Sequence, residues 1–429
     1  MITKVLILFG IMFLFLILRF PVFLALGLAA TGIALLFPGT VPTAVIGQGL
    51  LSGINNYNFA AIMFYFLLGE IMNGGGMSNR LIKFGTAIIG HIRGSLSHLN
   101  ILASMIFAGV SGSAVADTAA IGSLLIPAMK KDGYSAGYAA AVTASSSTIG
   151  PIIPPSGGLV LMGIYLSVSI NKLFLGGMVP GILMGIALLI VSFITSWKRN
   201  YPKTAWRGWK YAFTVFRESF FAFLLPVIVV FCLVAGIGTV VEIGALAVGC
   251  AVIISAFIYH ELNLRQFIQA LCRAAENAAK VLCILACAGV FTWIISSMGM
   301  AAALAKFITS FTTNPTVVLI ICMLILLFFG CILEVNVIQM VIIPTMVPII
   351  RAVGIDPIQF GVLAMLVTMM GLITPPVGSL IYITAGIAEE SPLQVIKELT
   401  PFTISLVILV TILIFFPGLV TAFPNWVMR

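Results

Sequence analysis

Charge is what this sequence has least of. Of its 429 residues only 8% are Asp, Glu, Lys or Arg, against about 25% in soluble domains. An ordinary soluble enzyme is therefore excluded. Disorder is excluded too, because 61% of the residues are hydrophobic and they run from end to end. The alternation over about ten residues that marks an outer-membrane barrel strand is missing. Histidine is scarce: His91, His98 and His260 lie near segment ends and form no ligand cluster. The first half has no cysteine. The second half has seven, with no CxxC pair; Cys283 and Cys287 share a helix face but have no neighbouring His to complete a metal site. No Gly-x-x-x-x-Gly-Lys-Ser/Thr phosphate loop occurs. A basic region followed by a small-residue cleavage site is absent from the N-terminus, so the first apolar segment is expected to stay as a helix.

What is present is apolar runs of the length, about 20 residues, that a bilayer-spanning helix needs. They cover 5–19, 21–37, 57–75, 138–165, 176–197, 219–236, 241–259, 281–298, 358–387 and 400–423. The expected class is an all-α polytopic inner-membrane protein. Two more stretches, 96–129 and 316–350, are apolar but interrupted by Gly109, Gly112 and Asp117 in one and by Gly330 and Glu334 in the other. Backbone breaks at membrane depth are tolerated only where they are buried or line a cavity. Both stretches read as re-entrant hairpins, giving about ten spans plus two hairpins. The net charge of +9 is sharpest at Lys198, Arg199, Lys203, Arg207, Lys210 and Arg217, interleaved with Trp197, Trp206 and Trp209. Between flanking apolar runs this is a cytoplasmic loop with interfacial tryptophans, not a nucleic-acid site. Counting outward puts Arg80, Lys83, Arg93, Arg265, Arg273 and Lys280 on the same side, and both termini in the periplasm. The loops near 38–56 and 236–241 fall outside and carry no Lys or Arg. Segments 79–93 and 262–278 read as amphipathic helices at the cytoplasmic interface.

The chain resembles itself when displaced by 221 positions. Phe107, Gly109, Pro127 and Gly133 then meet Phe328, Gly330, Pro348 and Gly354. Gly150, Pro154, Pro155 and Gly157 meet Gly371, Pro375, Pro376 and Gly378 without a gap. An odd number of crossings separates the copies, so residues 1–218 and 219–429 form two inverted repeats. Each has scaffold helices, an interfacial arm, a hairpin and a broken helix. Inverted repeats with discontinuous helices are the architecture of secondary transporters.

The breaks carry the chemistry. The first reads Gly109-Val-Ser111-Gly-Ser113-Ala-Val-Ala-Asp117, answered by Ser145-Ser-Ser-Thr148-Ile-Gly150-Pro151 and then Pro154-Pro155-Ser156. Glycine permits an unwound turn, and proline removes backbone donors and stops the helix. Freed carbonyls, hydroxyls and a carboxylate are hard oxygen donors that suit Na⁺. Small residues alone could be helix packing, but an acid inside an apolar hairpin is a functional candidate by default. The second break supplies Gly330, Glu334 and Asn336, answered by Gly371, Thr374, Pro375, Pro376 and Val377. Two oxygen sites imply at least two cations, with substrate between the hairpin tips near Pro154, Ser156, Asn336 and Pro375. A proton relay through Asp117 and Glu334 is the rival, without an intramembrane His or Lys to support it. Glu70 and Glu242 read as interfacial or helix-pairing acids, and Asp132, Asp356, Glu389, Glu390 and Glu398 as solvated ones. A membrane enzyme acting on lipid would need a nucleophile–base pair or metal cluster, and none is evident; a channel would not need inverted hairpins.

Gly112-Ser-Ala-Val-Ala-Asp-Thr-Ala-Ala-Ile-Gly, Ile126-Pro-Ala-Met and Gly150-Pro-Ile-Ile-Pro-Pro-Ser, with Gly354-Ile-Asp-Pro and Gly371-Leu-Ile-Thr-Pro-Pro-Val-Gly, resemble the large membrane subunit of tripartite ATP-independent periplasmic (TRAP) transporters over essentially the whole chain. That resemblance implies Na⁺-driven import of an organic acid, sialic acid or a C4-dicarboxylate among the candidates, by an elevator-type fold whose moving domain contains both hairpins. It implies two partners in the bilayer and periplasm: a small four-helix membrane subunit and a soluble substrate-binding protein. By the same resemblance Ser111, Ser113 and Asp117 match one Na⁺ motif, facing the Gly150 break. Gly330, Gly371, Thr374 and Val377 match the other, Val377 through its carbonyl. Glu334 stands where relatives carry Asp, and Thr239-Val240-Val241-Glu242 where the family shows Thr-Pro-Thr-Glu. The alternative reading is a self-sufficient Na⁺/dicarboxylate symporter of related hairpin architecture.

Overall fold

The computed structural model describes the chain except for residues 1, 19, 38–41, 112, 204–207, 300–302, 304, 305, 307–309, 311 and 429. Among the described residues every regular element is helical. The first repeat contains α1 (Ile2–Ile17), α2 (Val22–Leu36), α3 (Thr43–Ile54), α4 (Phe59–Gly74), α5 (Met77–Ile89), α6 (Ser95–Ser111), α7 (Ala114–Lys131), α8 (Ala136–Ser147), α9 (Gly157–Leu166) and α10 (Ile170–Lys198). The second contains α11 (Trp209–Val234), α12 (Val240–Ile258), α13 (Leu264–Ser297), α14 (Pro315–Gly330), α15 (Val335–Ala352), α16 (Pro357–Gly371), α17 (Ser379–Ala388), α18 (Pro392–Phe415) and α19 (Gly418–Val427). Among the described residues six helices are long and apolar enough to cross a bilayer unaided: α10, α11, α12, α13, α15 and α18. The remaining apolar helices are shorter, and the two broken spans appear as the pairs α8–α9 and α16–α17.

Helix starts follow local chemistry. Asn314, Asp356 and Ser391 each accept a backbone N–H at an N-cap, and each is followed by a proline at the first helical position, where the missing N–H is not needed. Asp356, expected as a solvated acid, is thus a cap. Glu242 is another: its Oε2 accepts the Thr239 backbone N–H at 2.7 Å while Thr239 Oγ1 accepts the Glu242 N–H at 3.4 Å. Thr239-Val-Val-Glu242 is a capping box that begins α12.

Two expectations change. Residues 43–54, read as an outside loop, form α3, because Gly49 and Gly53 seat this short helix against α13. A Cβ on Gly289 would stand 2.5 Å from the Gly49 carbonyl and 2.8 Å from Gly53 Cα, the close small-residue approach that holds membrane helices together. The arm 262–278 and the span 281–298 are one helix, α13. Nothing between Ala278 and Val281 interrupts it, and Ala and Lys are strong helix formers.

Packing divides the helices into two groups. Helices α1 to α4 gather around α13, with α12 on α4 and α11 on α12. Helices α6 to α10 pack with α14 to α19, so the long helices α10 and α18 belong to the hairpin group. The α5 arm lies between the groups, against α11 on one side and α6 on the other. Its base is pinned by Arg80–Glu261 at 2.6 Å and Lys83–Glu218 at 2.7 Å, with the Arg80 guanidinium 3.9 Å from the Tyr259 ring centroid.

Candidate functional site

In the first half of the chain α6 and α7 pack as a hairpin, with Ser113 just before α7. Ser113 caps α7, accepting the Ala116 N–H at 3.4 Å. Asp117 follows in the first turn, where the helix dipole favours a negative charge, yet it is 1% exposed. A buried carboxylate without compensation is strongly unfavourable. The break between α8 and α9 comes up against it. A Cβ at Gly150 would run into Asp117 Oδ2, so glycine is what lets the α8–α9 break reach the acid. A fully buried ladder ties α6 to α8: Asn100 Nδ2 donates to Thr143 Oγ1 at 2.7 Å, Ser146 Oγ to Asn100 Oδ1 at 3.1 Å, and Ser104 Oγ to Ser146 Oγ at 2.9 Å. Thr148 ends α8 and gives its hydroxyl proton to the Ser145 carbonyl at 2.6 Å. Its lone pairs remain as acceptor capacity. Gly109 and Ser111 belong to the last turn of α6, and their side-chain surroundings lie outside the described residues.

In the second repeat the same register brings Gly330 and Gly371 together. A Cβ on Gly371 would be 2.5 Å from Gly330 Cα, and one on Gly330 would be 3.2 Å from Gly371 Cα. The end of α14 and the end of α16 therefore touch backbone to backbone. The chain then crosses the break with the Gly378 N–H donating to the Cys331 carbonyl at 3.3 Å and Thr374 Oγ1 to the Met370 carbonyl at 2.7 Å. Pro375 and Val377 are exposed here, whereas Pro154 and Ser156 in the first break are buried.

The acids differ between the halves. Displaced by 221 positions, Glu334 falls on Ser113, and both occupy the N-cap of the returning hairpin limb; Asp117 falls on Ile338. Glu334 is exposed and accepts the Asn336 amide at 3.1 Å. It faces a cavity, while Asp117 faces a backbone.

That cavity joins three of the expected residues, Ser113, Glu334 and Asn336; Asp117, Thr148, Gly150, Pro154, Gly330, Gly371, Thr374, Pro375 and Val377 do not line it. It measures about 720 Å³ and runs from Ser113, Glu334 and Asn336 at the hairpin turns to Phe66 and Glu70 on α4 and Lys280 on α13. An inner recess bordered by Ser113, Glu334 and Asn336 ends on Pro151, Gly157, Gly158 and Ser379. The amino ends of α9 and α17, one from each repeat, thus open on the same space. Ser156 does not line it: its hydroxyl donates to the Pro151 carbonyl at 2.6 Å and accepts the Leu159 N–H at 3.3 Å, closing the proline loop. Sequence reasoning missed Gly157, Gly158 and Ser379 as cavity residues, although the offset that pairs Gly157 with Gly378 marks both helix starts. It also missed Lys280 and Glu70, because nothing in sequence brings α4 and α13 opposite the hairpins. Glu70 is held by Arg273 at 2.7 Å.

Paired hairpins, paired broken helices and an open, largely apolar cavity with polar groups at the hairpin turns are the build of a polytopic membrane transporter subunit. Residues 9–419 match the profile of the family described as "Tripartite ATP-independent periplasmic transporter, DctM component", and the chain belongs to that family. It is 34% identical over 88% of its length to the "Sialic acid TRAP transporter large permease protein SiaM" of Vibrio cholerae, of which it covers 88%. It is 32% identical over 89% of its length to the "2,3-diketo-L-gulonate TRAP transporter large permease protein YiaN" of Escherichia coli, of which it covers 90%. The "Isethionate TRAP transporter permease protein DctMQ" of Oleidesulfovibrio alaskensis is 33% identical over 96% of this chain, which covers 65% of that longer protein. Among solved structures, the YdaH transporter of Alcanivorax borkumensis matches 91% of this chain and 89% of its own at a TM-score of 0.63 and 15% identity, a likeness of fold.

Proposed function

We propose that this chain is the large membrane subunit of a Na⁺-coupled importer of an organic acid, handed over by a periplasmic binding protein and carried across by an elevator motion. The observation that carries this reading is one cavity bounded by both hairpin turns and by two half-helix amino ends. Such ends favour anions, and in transporters of this build they face anionic groups of the substrate. Asp117, Thr148 and the Gly150 break would hold one Na⁺. The Gly330–Gly371 seam with Thr374 and the Val377 carbonyl would hold another. Asn336 and Ser113 at the hairpin turns would contact the acid. Relatives named for sialic acid, 2,3-diketo-L-gulonate and isethionate support a small, often hydroxylated organic anion as substrate. The family name supports a small membrane subunit and a binding protein as partners, and the inner membrane as the site of action. Reconstituted with both partners, the protein should take up acid with an inward Na⁺ gradient and no ATP. Undiminished uptake with K⁺ in place of Na⁺ would show that Na⁺ does not drive it. Uptake by the large subunit alone would favour the self-sufficient symporter.

Motion has its own test. Phe13 on α1 and Phe329 on α14 stack across the two helix groups with ring centroids 6.5 Å apart, while Phe9 and Phe291 meet within one group at 5.6 Å. With the seven native cysteines removed, a bridge between cysteines at 13 and 329 should arrest transport. A bridge between 9 and 291 should leave it running. Transport that survives the first bridge would replace the elevator with local gating.

A further inference from the structure

The cavity is not electrically symmetrical, and its asymmetry lies on the α13 wall. Lys280 is its one cationic lining residue among the described residues. Glu70, which also lines it, is already neutralised by Arg273 at 2.7 Å. Lys280 itself pairs with Glu276, one turn back on the same helix, at 2.7 Å, and both side chains are well exposed. Exposed pairs of this kind are weak and exchange partners readily. The Asn73 and Asn277 amides flank the same stretch of wall. The positive-inside count puts Lys280, midway along α13, toward the cytoplasmic side, and the same cavity reaches Glu334 and Asn336. Hence the geometry points to Lys280, with Asn73 and Asn277, as an anion-receiving subsite on the static wall, which takes the carboxylate of the transported acid as it leaves the hairpin body toward the cytoplasm. This deepens the organic-acid reading above and rests on it. Na⁺ bound in the hairpin body balances the acid's charge during the crossing; once those ions leave, Lys280 exchanges Glu276 for the acid and shields it from Glu334. The subsite belongs to the wall rather than to the moving body, so it acts on release and not on loading.

Two measurements separate the failure of this inference from the failure of the reading beneath it. In a background without native cysteines, Asn277→Cys reports the local potential through its rate of reaction with an anionic ethylsulfonate methanethiosulfonate relative to a neutral methyl one. Lys280→Gln should lower that ratio about fivefold, and Glu276→Gln should raise it, both effects shrinking in high salt. An unchanged ratio overturns the subsite whatever the protein transports. In proteoliposomes, labelled N-acetylneuraminate, succinate and isethionate serve as probes. For whichever is carried, Lys280→Gln should slow exchange from the cytoplasmic face about tenfold with little change in uptake half-saturation on the outer face, and Lys280→Arg should restore it. Equal loss on both faces, or no loss, overturns a role in release. Transport of no organic acid by the wild-type complex overturns the functional reading and leaves the potential measurement to judge the site.

Discussion

Asp117→Ala should reduce Na⁺-driven uptake about 100-fold or more, since it would remove one partner of the proposed buried Asp117–Na⁺ pair, and breaking a buried ion pair costs about 3–5 kcal/mol, where about 1.4 kcal/mol is tenfold. The acid is 1% exposed at the amino end of α7, and Gly150 gives it room to meet the break between α8 and α9. Asp117→Asn keeps the shape and removes the charge, so it should fail nearly as badly. Gly150→Ala should fail too, because its methyl group occupies the space of Oδ2. Glu70→Ala, by contrast, breaks one half-exposed ion pair with Arg273, which is worth about 1 kcal/mol or less, and should lower uptake only a few-fold. Uptake assays on inserted, purified variants decide this. Normal Na⁺-driven uptake by Asp117→Ala would make the acid structural.

Gly371→Ala is the second large effect, and its origin is steric. The new methyl group would lie 2.5 Å from Gly330 Cα and 2.7 Å from the Gly330 carbonyl oxygen. Backbone cannot swing aside as a side chain can, so α14 and α16 must part. Overpacking a close interior costs about 1–3 kcal/mol, and the displaced carbonyls are those proposed to hold the second Na⁺. Half-saturation for Na⁺ should rise at least about tenfold, and thermal unfolding should move down by a few degrees, in line with that cost. Gly386→Ala is the control: its Cβ would meet nothing within 4 Å. If Gly371→Ala keeps the wild-type Na⁺ dependence, the seam is not a cation site.

The 221-residue offset shows how much of the site was legible. It matched glycines and Pro-Pro pairs in frame, and the structure places each member at a hairpin end or a helix break. It did not foretell that the halves use their acids differently. Asp117 and Glu334 look alike in composition, but one sits a turn inside its helix and the other at the N-cap. That register difference buries the first and turns the second to the cavity. Ser156 was legible as a hydroxyl beside a break, but a capping bond to Pro151 takes it out of the cavity.

Sequence alone determined what depends on composition and on local order: membrane residence, helices throughout, two related halves, and where each helix must break, because apolar length, glycine and proline act within a few residues of themselves. The capping box at Thr239 and Glu242 is equally local, but Glu242 was read as an interfacial or helix-pairing acid and the structure supplied the cap. Tertiary structure decided what depends on helices distant in the chain. The α3 helix exists because Gly49 and Gly53 meet Gly289, a contact no local pattern announces. The division into two helix groups, and the passage of α10 and α18 into the hairpin group, follow from packing faces that are apolar all round and so carry no address. The cavity itself arises only where hairpin turns, half-helix ends and the α4–α13 wall converge, and that convergence makes Lys280, read from sequence as a cytoplasmic-side lysine, a cavity-lining one.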